Sequence, residues 1–206
     1  MIYLDYAATA PMAPKAIEAL SNNLNSKEMY ANPSSLQHSF GQKANNLVKN
    51  CRSEFASDLN CNPNDLIFTS GATESNNLAI KGIALSYRYK GQHIVTSASE
   101  HKSVLDTCKF LESIGYQVTY LRPDTNGRID QDCLLAALTD KTTLVSLMHV
   151  NNETGVIQDI DQIAKTLKQK DILFHVDAAQ SAGKLPIDLT ESGRLVPRKR
   201  QQSHSI

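Results

Sequence analysis

Residues 93–121 read HIVTSASEHKSVLDTCKFLESIGYQVTYL, and this stretch decides the fold. His93-Ile-Val-Thr is a short apolar run of strand type. Val104, Cys108 and Leu111 then recur at helical spacing until Gly115 stops the run, and Gln117 to Leu121 is a second strand. A strand, one amphipathic helix and another strand in direct succession make a βαβ unit, whose strands lie parallel because the helix carries the chain back to the end from which it started. Towards the C-terminus the alternation continues. Asn126-Gly127 is a turn, Leu134, Leu135 and Leu138 form a helix face, Thr143 to Val150 a strand, Ile160, Ile163 and Leu167 another helix face, and Ile172 to Val176 a strand. Towards the N-terminus, Leu66-Ile-Phe-Thr reads as one more strand and the segment through Leu78 and Leu85 as its helix. The expected class is α/β, with a mostly parallel sheet and helices on both faces.

Before Leu66 the period is helical only. Pro14 suits a first helical turn and is followed by Ile17, Leu20 and Leu24 on one face. Asn32-Pro-Ser-Ser is a turn and cap signal, after which Phe40, Ala44, Leu47, Val48, Cys51, Phe55 and Leu59 predict the longest helix of the chain. Glu191 to Ile206, with Arg194, Arg198, Lys199 and Arg200, carries neither period and is expected to be a disordered tail.

Composition narrows the function. The 206 residues hold 21 Lys+Arg against 21 Asp+Glu, so no broad basic field exists to attract a nucleic-acid backbone. The N-terminus has no signal-peptide pattern and no apolar run reaches membrane-spanning length, which predicts a cytoplasmic protein without membrane contact. Cys51, Cys61, Cys108 and Cys133 form no CxxC pair and are expected to be reduced structural thiols, three of them on or beside apolar helix faces.

In a parallel sheet, ligands bind beyond the carboxyl ends of the strands, where loops and helix N-termini converge. Gly71-Ala72-Thr73 can grip a phosphate with backbone N–H groups and a hydroxyl, or can be a plain turn. Asp177 closes an apolar strand, so its carboxylate either caps the next helix or meets a cation such as the protonated ring nitrogen of pyridoxal phosphate (PLP). Gln180 can reach the same cofactor's phenolic oxygen or be a surface amide. His101 can lie over a flat cofactor and move protons, or be an exposed histidine at a helix start. Asn151 and Asn152 offer amides to the same edge, or simply form a turn. A zinc site from His101, His149, His175 and Asp177 is conceivable, but no pair has the i, i+4 spacing of a helical metal motif.

Taken in order, Leu4-Asp-Tyr-Ala-Ala-Thr-Ala-Pro, Asn32-Pro-Ser-Ser, Phe68-Thr-Ser-Gly-Ala-Thr-Glu-Ser-Asn-Asn-Leu, Glu100-His-Lys-Ser-Val-Leu, Met148-His-Val-Asn-Asn-Glu-Thr-Gly and His175-Val-Asp-Ala-Ala-Gln-Ser-Ala-Gly-Lys-Leu-Pro resemble the cysteine desulfurase family, from about Ile2 to Leu189. The Asn-Asn-Glu-Thr-Gly run is similar to the branch that serves general or nitrogenase iron–sulfur cluster assembly. The resemblance implies a fold-type-I, class-V-aminotransferase-like PLP transferase acting as a homodimer, with residues 1–13 an arm of the small domain, residues 14–190 part of the PLP-binding large domain, and residues 191–206 outside the family pattern. It implies that Ala72 and Thr73 bind the phosphate, His101 stacks on the ring and acts catalytically, Asn152 and Gln180 contact the ring oxygen region, and Asp177 pairs with the ring nitrogen. The family removes sulfur from L-cysteine, leaving alanine and an enzyme persulfide that is passed to an iron–sulfur scaffold or other acceptor.

Two parts that the resemblance requires have no match. Family members carry a Ser-x-His-Lys segment after the His-Val-Asp motif, whose lysine anchors the cofactor, and later a loop cysteine that takes the sulfur. Neither is present after Asp177 here. The expectation is an incomplete large domain in a truncated chain, with weak PLP binding and little activity alone. The competing readings are a non-catalytic fragment that pairs with a full-length subunit or an assembly partner, and another class V PLP enzyme such as a selenocysteine lyase or an aminotransferase.

Overall fold

The computed structural model describes residues 2–28 and 30–189, which fall into two compact units divided between Ile67 and Phe68. The expected tail and its charged residues lie outside the described residues.

The first unit is helical. α1 spans Pro14–Asn25 and starts, as its sequence predicts, with proline in the first turn. α2 spans Ser39–Asp58, and the His38 ring caps it by accepting the Gly41 N–H at 3.1 Å. Gly41 is required there because a Cβ would lie 1.9 Å from the Ser35 carbonyl oxygen. A single 3-10 turn, Pro63–Asp65, is capped by Asn62, and Arg52 of α2 donates to the Leu66 carbonyl just beyond it.

The second unit carries the sheet. Its elements are α3 (Ala72–Ser86), β1 (His93–Ser97), α4 (Lys102–Ser113), β2 (Gln117–Leu121), α5 (Gln131–Ala137), β3 (Thr142–Met148), α6 (Ile160–Gln169) and β4 (Leu173–Asp177). All strand pairs are parallel, in the order β2-β1-β3-β4, with Ile94 beside Val118 and Leu144, and Met148 beside Asp177. Alternate strand residues therefore serve opposite faces. Val95, Val145, Leu147 and Phe174 pack with Leu134 of α5 and Ile163 and Leu167 of α6. Ile94 and Leu144 pack with Ile80 and Ile83 of α3 and Val104, Cys108 and Leu111 of α4. Helices on both faces of a parallel sheet are what the alternating pattern predicts.

Three expectations change. Leu66-Ile-Phe-Thr joins no ladder: among the described residues the sheet ends at β2 and β4, and an apolar run that pairs with no adjacent strand is not a strand. β3 stops at Met148 rather than Val150, because Asn151 accepts the Gly155 N–H at 2.9 Å and Val150 bridges antiparallel to Ile157, turning the chain over Gly155 at φ 73°. Among the thiols, Cys108 is buried and Cys51 and Cys61 are half-buried, but Cys133 is exposed on the outer side of α5 and is no core residue.

The amino ends of the strands are closed by side chains. His93 at the start of β1 is buried with Nδ1 2.7 Å from Thr142 Oγ1 and Nε2 2.9 Å from Thr119 Oγ1, so one ring ties β1 to both neighbours. Burial lowers its pKa below the usual histidine value.

Candidate functional site

β1 and β3 are adjacent, but the helices that follow them, α4 and α6, cover opposite faces of the sheet. Their outgoing loops therefore part, which opens a crevice at the carboxyl ends of these two strands, the position where parallel sheets hold ligands. Residues from both loops tie the crevice together. Glu100, after β1, accepts the Met148 N–H of β3 at 2.8 Å through Oε1. Asn151, after β3, donates to the Ser99 carbonyl at 3.0 Å and accepts the N–H groups of Glu153 and Thr154, both at 2.9 Å. Asn151 is thus the turn-forming amide.

Asp177, the last residue of β4, is buried. Its Oδ1 accepts the Ala179 N–H at 2.9 Å, a local cap, and its Oδ2 accepts Asn76 Nδ2 of α3 at 2.7 Å. The same Asn76 nitrogen is 2.9 Å from Ser103 Oγ, which is 2.8 Å from His101 Nδ1. Two of the sequence-chosen residues, Asp177 and His101, are therefore joined through two that sequence reasoning missed. His101 is exposed and caps α4, accepting the Ser103 N–H at 3.1 Å.

Ala72 and Thr73 form the exposed first turn of α3, which Gly71 opens without a side-chain cap. Glu74 reaches back to accept Ser70 N at 2.6 Å and Ser70 Oγ at 2.7 Å, and these two donors hold its carboxyl below the usual range. Asn152 is half-buried and donates to Glu153 Oε1 at 2.8 Å, and Gln180 accepts Lys184 Nζ at 3.5 Å. These two amides are placed at the same rim but the hydrogen bonds above do not bring them into the Asp177–His101 chain. Among the described residues no three His, Cys, Asp or Glu side chains cluster as metal ligands. His175, a member of the conceivable zinc set, instead meets Ser146 Oγ at 2.9 Å.

The missed residues had a sequence signal. Asn76 falls on the buried stripe of α3 with Ile80, Ile83 and Ala84, and Ser103 on that of α4 with Val104, Thr107, Cys108 and Leu111. A polar side chain on an apolar stripe needs a partner, and here the partners are each other. Glu100, in the loop before α4, is a further buried polar residue: burial raises its carboxyl to about 8, and its Oε2 and the Nδ1 of His149 are buried polar atoms without a hydrogen-bond partner.

The parallel sheet and its two helix layers are those of the α/β domain of fold-type-I enzymes. The chain belongs to the aminotransferase class-V family, whose model matches residues 2–194. It is 53% identical over 191 residues to the cysteine desulfurase IscS of Shewanella loihica, covering 93% of this chain and 47% of that protein. The IscS of Photorhabdus laumondii is 53% identical over 190 residues, covering 92% and 47%. Among solved structures, SspA in complex with cysteine superposes with a TM-score of 0.87 at 44% identity, covering 92% of this chain and 54% of that one. A NifS-like protein gives 0.88 at 35% identity, covering 93% and 52%. The chain therefore spans about half the length of the curated relatives it matches. Class V aminotransferases and cysteine desulfurases depend on PLP. Among the described residues no helix is long and apolar enough to cross a membrane.

The rim fits that cofactor. An uncapped helix start offers N–H groups to a phosphate. Asn76, which holds Asp177, lies four residues further along the same helix than Ala72, hence ~6 Å down its axis. Anion donors at the start of α3 and a carboxylate held from the same helix thus offer partners for the two ends of a phosphorylated pyridine, with His101 joined to the carboxylate end.

Proposed function

We propose that this chain forms the cofactor-holding half of a cysteine desulfurase, with L-cysteine as substrate and the sulfur passed on towards iron–sulfur cluster assembly. The N-terminus of α3 at Ala72 and Thr73 receives the phosphate. Asp177 faces the ring nitrogen, His101 covers the ring and moves protons at the substrate, and Asn152 and Gln180 serve the oxygen substituent. PLP supplies the electron sink for the bonds broken at the substrate. The chain's own residues orient it: a carboxylate at the nitrogen keeps that nitrogen protonated, and the helix N-terminus neutralises phosphate charge.

The observation that carries this reading is the buried Asp177 carboxylate, held by Asn76 one turn below the open start of α3. The relatives favour a desulfurase over other class V chemistries, since the matched proteins are named cysteine desulfurases and one superposed structure, SspA, holds cysteine. Homodimer formation and a scaffold partner belong to the same proposal.

The test is an absorbance titration of the chain with PLP. Reversible binding is expected, and Asp177→Ala should weaken it by on the order of a hundredfold, the loss of a buried charge-assisted contact worth a few kcal/mol. Borohydride reduction and peptide mapping should find no stoichiometrically modified lysine, because no lysine of this chain matches the Ser-x-His-Lys anchor that the resemblance calls for. Binding that is indifferent to Asp177→Ala would reduce that carboxylate to a local cap and remove the assignment.

A further inference from the structure

We infer that Asn76 and Ser103 are positioning residues that couple the Asp177 carboxylate to the His101 imidazole and fix which ring nitrogen of His101 carries the proton. The importance of that coupling for cofactor binding rests on the reading above; the hydrogen-bond chain itself does not.

The direction of every link is set by what each atom can do. The Ser103 backbone N–H can only donate, and it points at His101 Nδ1 from 3.1 Å, so that nitrogen presents a lone pair. The proton of the neutral ring is therefore on Nε2. Ser103 Oγ, 2.8 Å from the same Nδ1, must then donate its single proton there, which leaves its lone pairs to accept Asn76 Nδ2 at 2.9 Å. The second proton of that amide goes to Asp177 Oδ2 at 2.7 Å, and Asp177 Oδ1 is already engaged by the Ala179 N–H at 2.9 Å. No link can be reversed without leaving a donor facing a donor or an acceptor facing an acceptor. Asn76, Ser103 and Asp177 are 3%, 7% and 8% exposed, so water does not compete for these bonds.

Three elements meet in this chain: α3 supplies Asn76, α4 supplies Ser103 and its cap His101, and β4 supplies Asp177. A carboxylate that must meet a ring nitrogen and an imidazole that must lie on the ring face are thereby held in one frame. A misplacement of either would cost positioning energy at the reacting centre. Glu100 and His175 are titratable groups that feel the charge of Asp177.

The test uses the full chain labelled with 15N-histidine, with His101 assigned by its loss in His101→Asn. Long-range proton–nitrogen correlation should show the Nε2–H form. Asp177→Asn should then displace the His101 ring nitrogen signals, and in the Asn76→Ala and Ser103→Ala backgrounds that displacement should shrink by roughly threefold or more, as expected when a link in a coupled network is cut. Ser103→Thr, which keeps the hydroxyl, should restore it, and this variant also guards against Asn76→Ala simply failing to fold. In a parallel PLP titration, Asn76→Ala and Ser103→Ala should each lower affinity by roughly tenfold, one lost buried hydrogen bond. An Nδ1–H tautomer, or equal displacement with and without Asn76 and Ser103, overturns the coupling. Unchanged PLP affinity in both variants overturns the positioning role. Failure of the unaltered chain to bind PLP strikes the cofactor reading alone, while the histidine signals still decide the coupling.

Discussion

Glu100, at the carboxyl rim, and His175, inside β4 against Ser146, are both held neutral by desolvation, the acid raised to about 8 and the imidazole lowered to about 4. The two act on stability in opposite directions with pH. A carboxyl whose folded pKa is raised contributes fully below its unfolded value of 4.5 and loses that contribution as pH rises towards 8, because the unfolded chain ionises first. Glu100→Gln keeps an oxygen for the Met148 N–H and cannot ionise. It should stabilise the protein by on the order of 4 kcal/mol at pH 8 and by almost nothing near pH 4. Urea unfolding at the two pH values measures this, and a gain independent of pH would refute it. His175 works the other way: stability is present above 6.5 and falls as pH drops towards 4, since the unfolded histidine takes up a proton that the buried ring refuses. His101 carries a different double duty. Because its ring caps α4, His101→Ala should lose about 1 kcal/mol of stability together with any role at the cofactor, whereas His101→Asn should keep the cap and lose only the imidazole. Chemical denaturation of the two variants separates the effects.

At the scale of elements, Gly91 lies just before β1 at a point where a Cβ would sit 2.2 Å from the Lys141 carbonyl oxygen, the acceptor of the His93 N–H at 3.1 Å. Backbone meeting backbone leaves nothing flexible to yield. Gly91→Ala should therefore disturb the β1–β3 pairing at its first bond and cost about 1–3 kcal/mol, read as a lower midpoint in thermal unfolding. A wild-type melting temperature would show that the strands can slide apart without loss. Most elements were legible in advance because each has a strong period and an unambiguous stop, such as Gly115, whose φ of 99° ends α4 where the pattern broke. Leu66 to Thr69 misled because an apolar β-type run specifies a strand only together with a neighbour, and the neighbour is a long-range fact that no local pattern contains. The site divides in the same way. Asp177 and His101 were legible from their places at element ends, whereas Asn76 and Ser103 acquire meaning only when α3, α4 and β4 meet.

The whole molecule leaves much apolar surface uncovered. In the first unit Ile17, Leu20 and Phe55 are 50%, 49% and 55% exposed, and the sheet of the second unit ends at β4 with one side of that strand unpaired among the described residues. Such faces and edges drive association. Light scattering with size-exclusion chromatography should find the purified chain in a concentration-dependent oligomer, and a sharp monomer at every concentration with a cooperative melt would contradict this. The second unit is also polarised from end to end. One rim of its sheet is fastened by His93 between Thr119 and Thr142, while the polar residues of the candidate site lie at the other. Robustness and chemistry are thus allotted to opposite poles of one sheet. A campaign to harden this protein should work from the threonine-lined pole, and one to change what it acts upon should confine its libraries to the other, with little trade between the two.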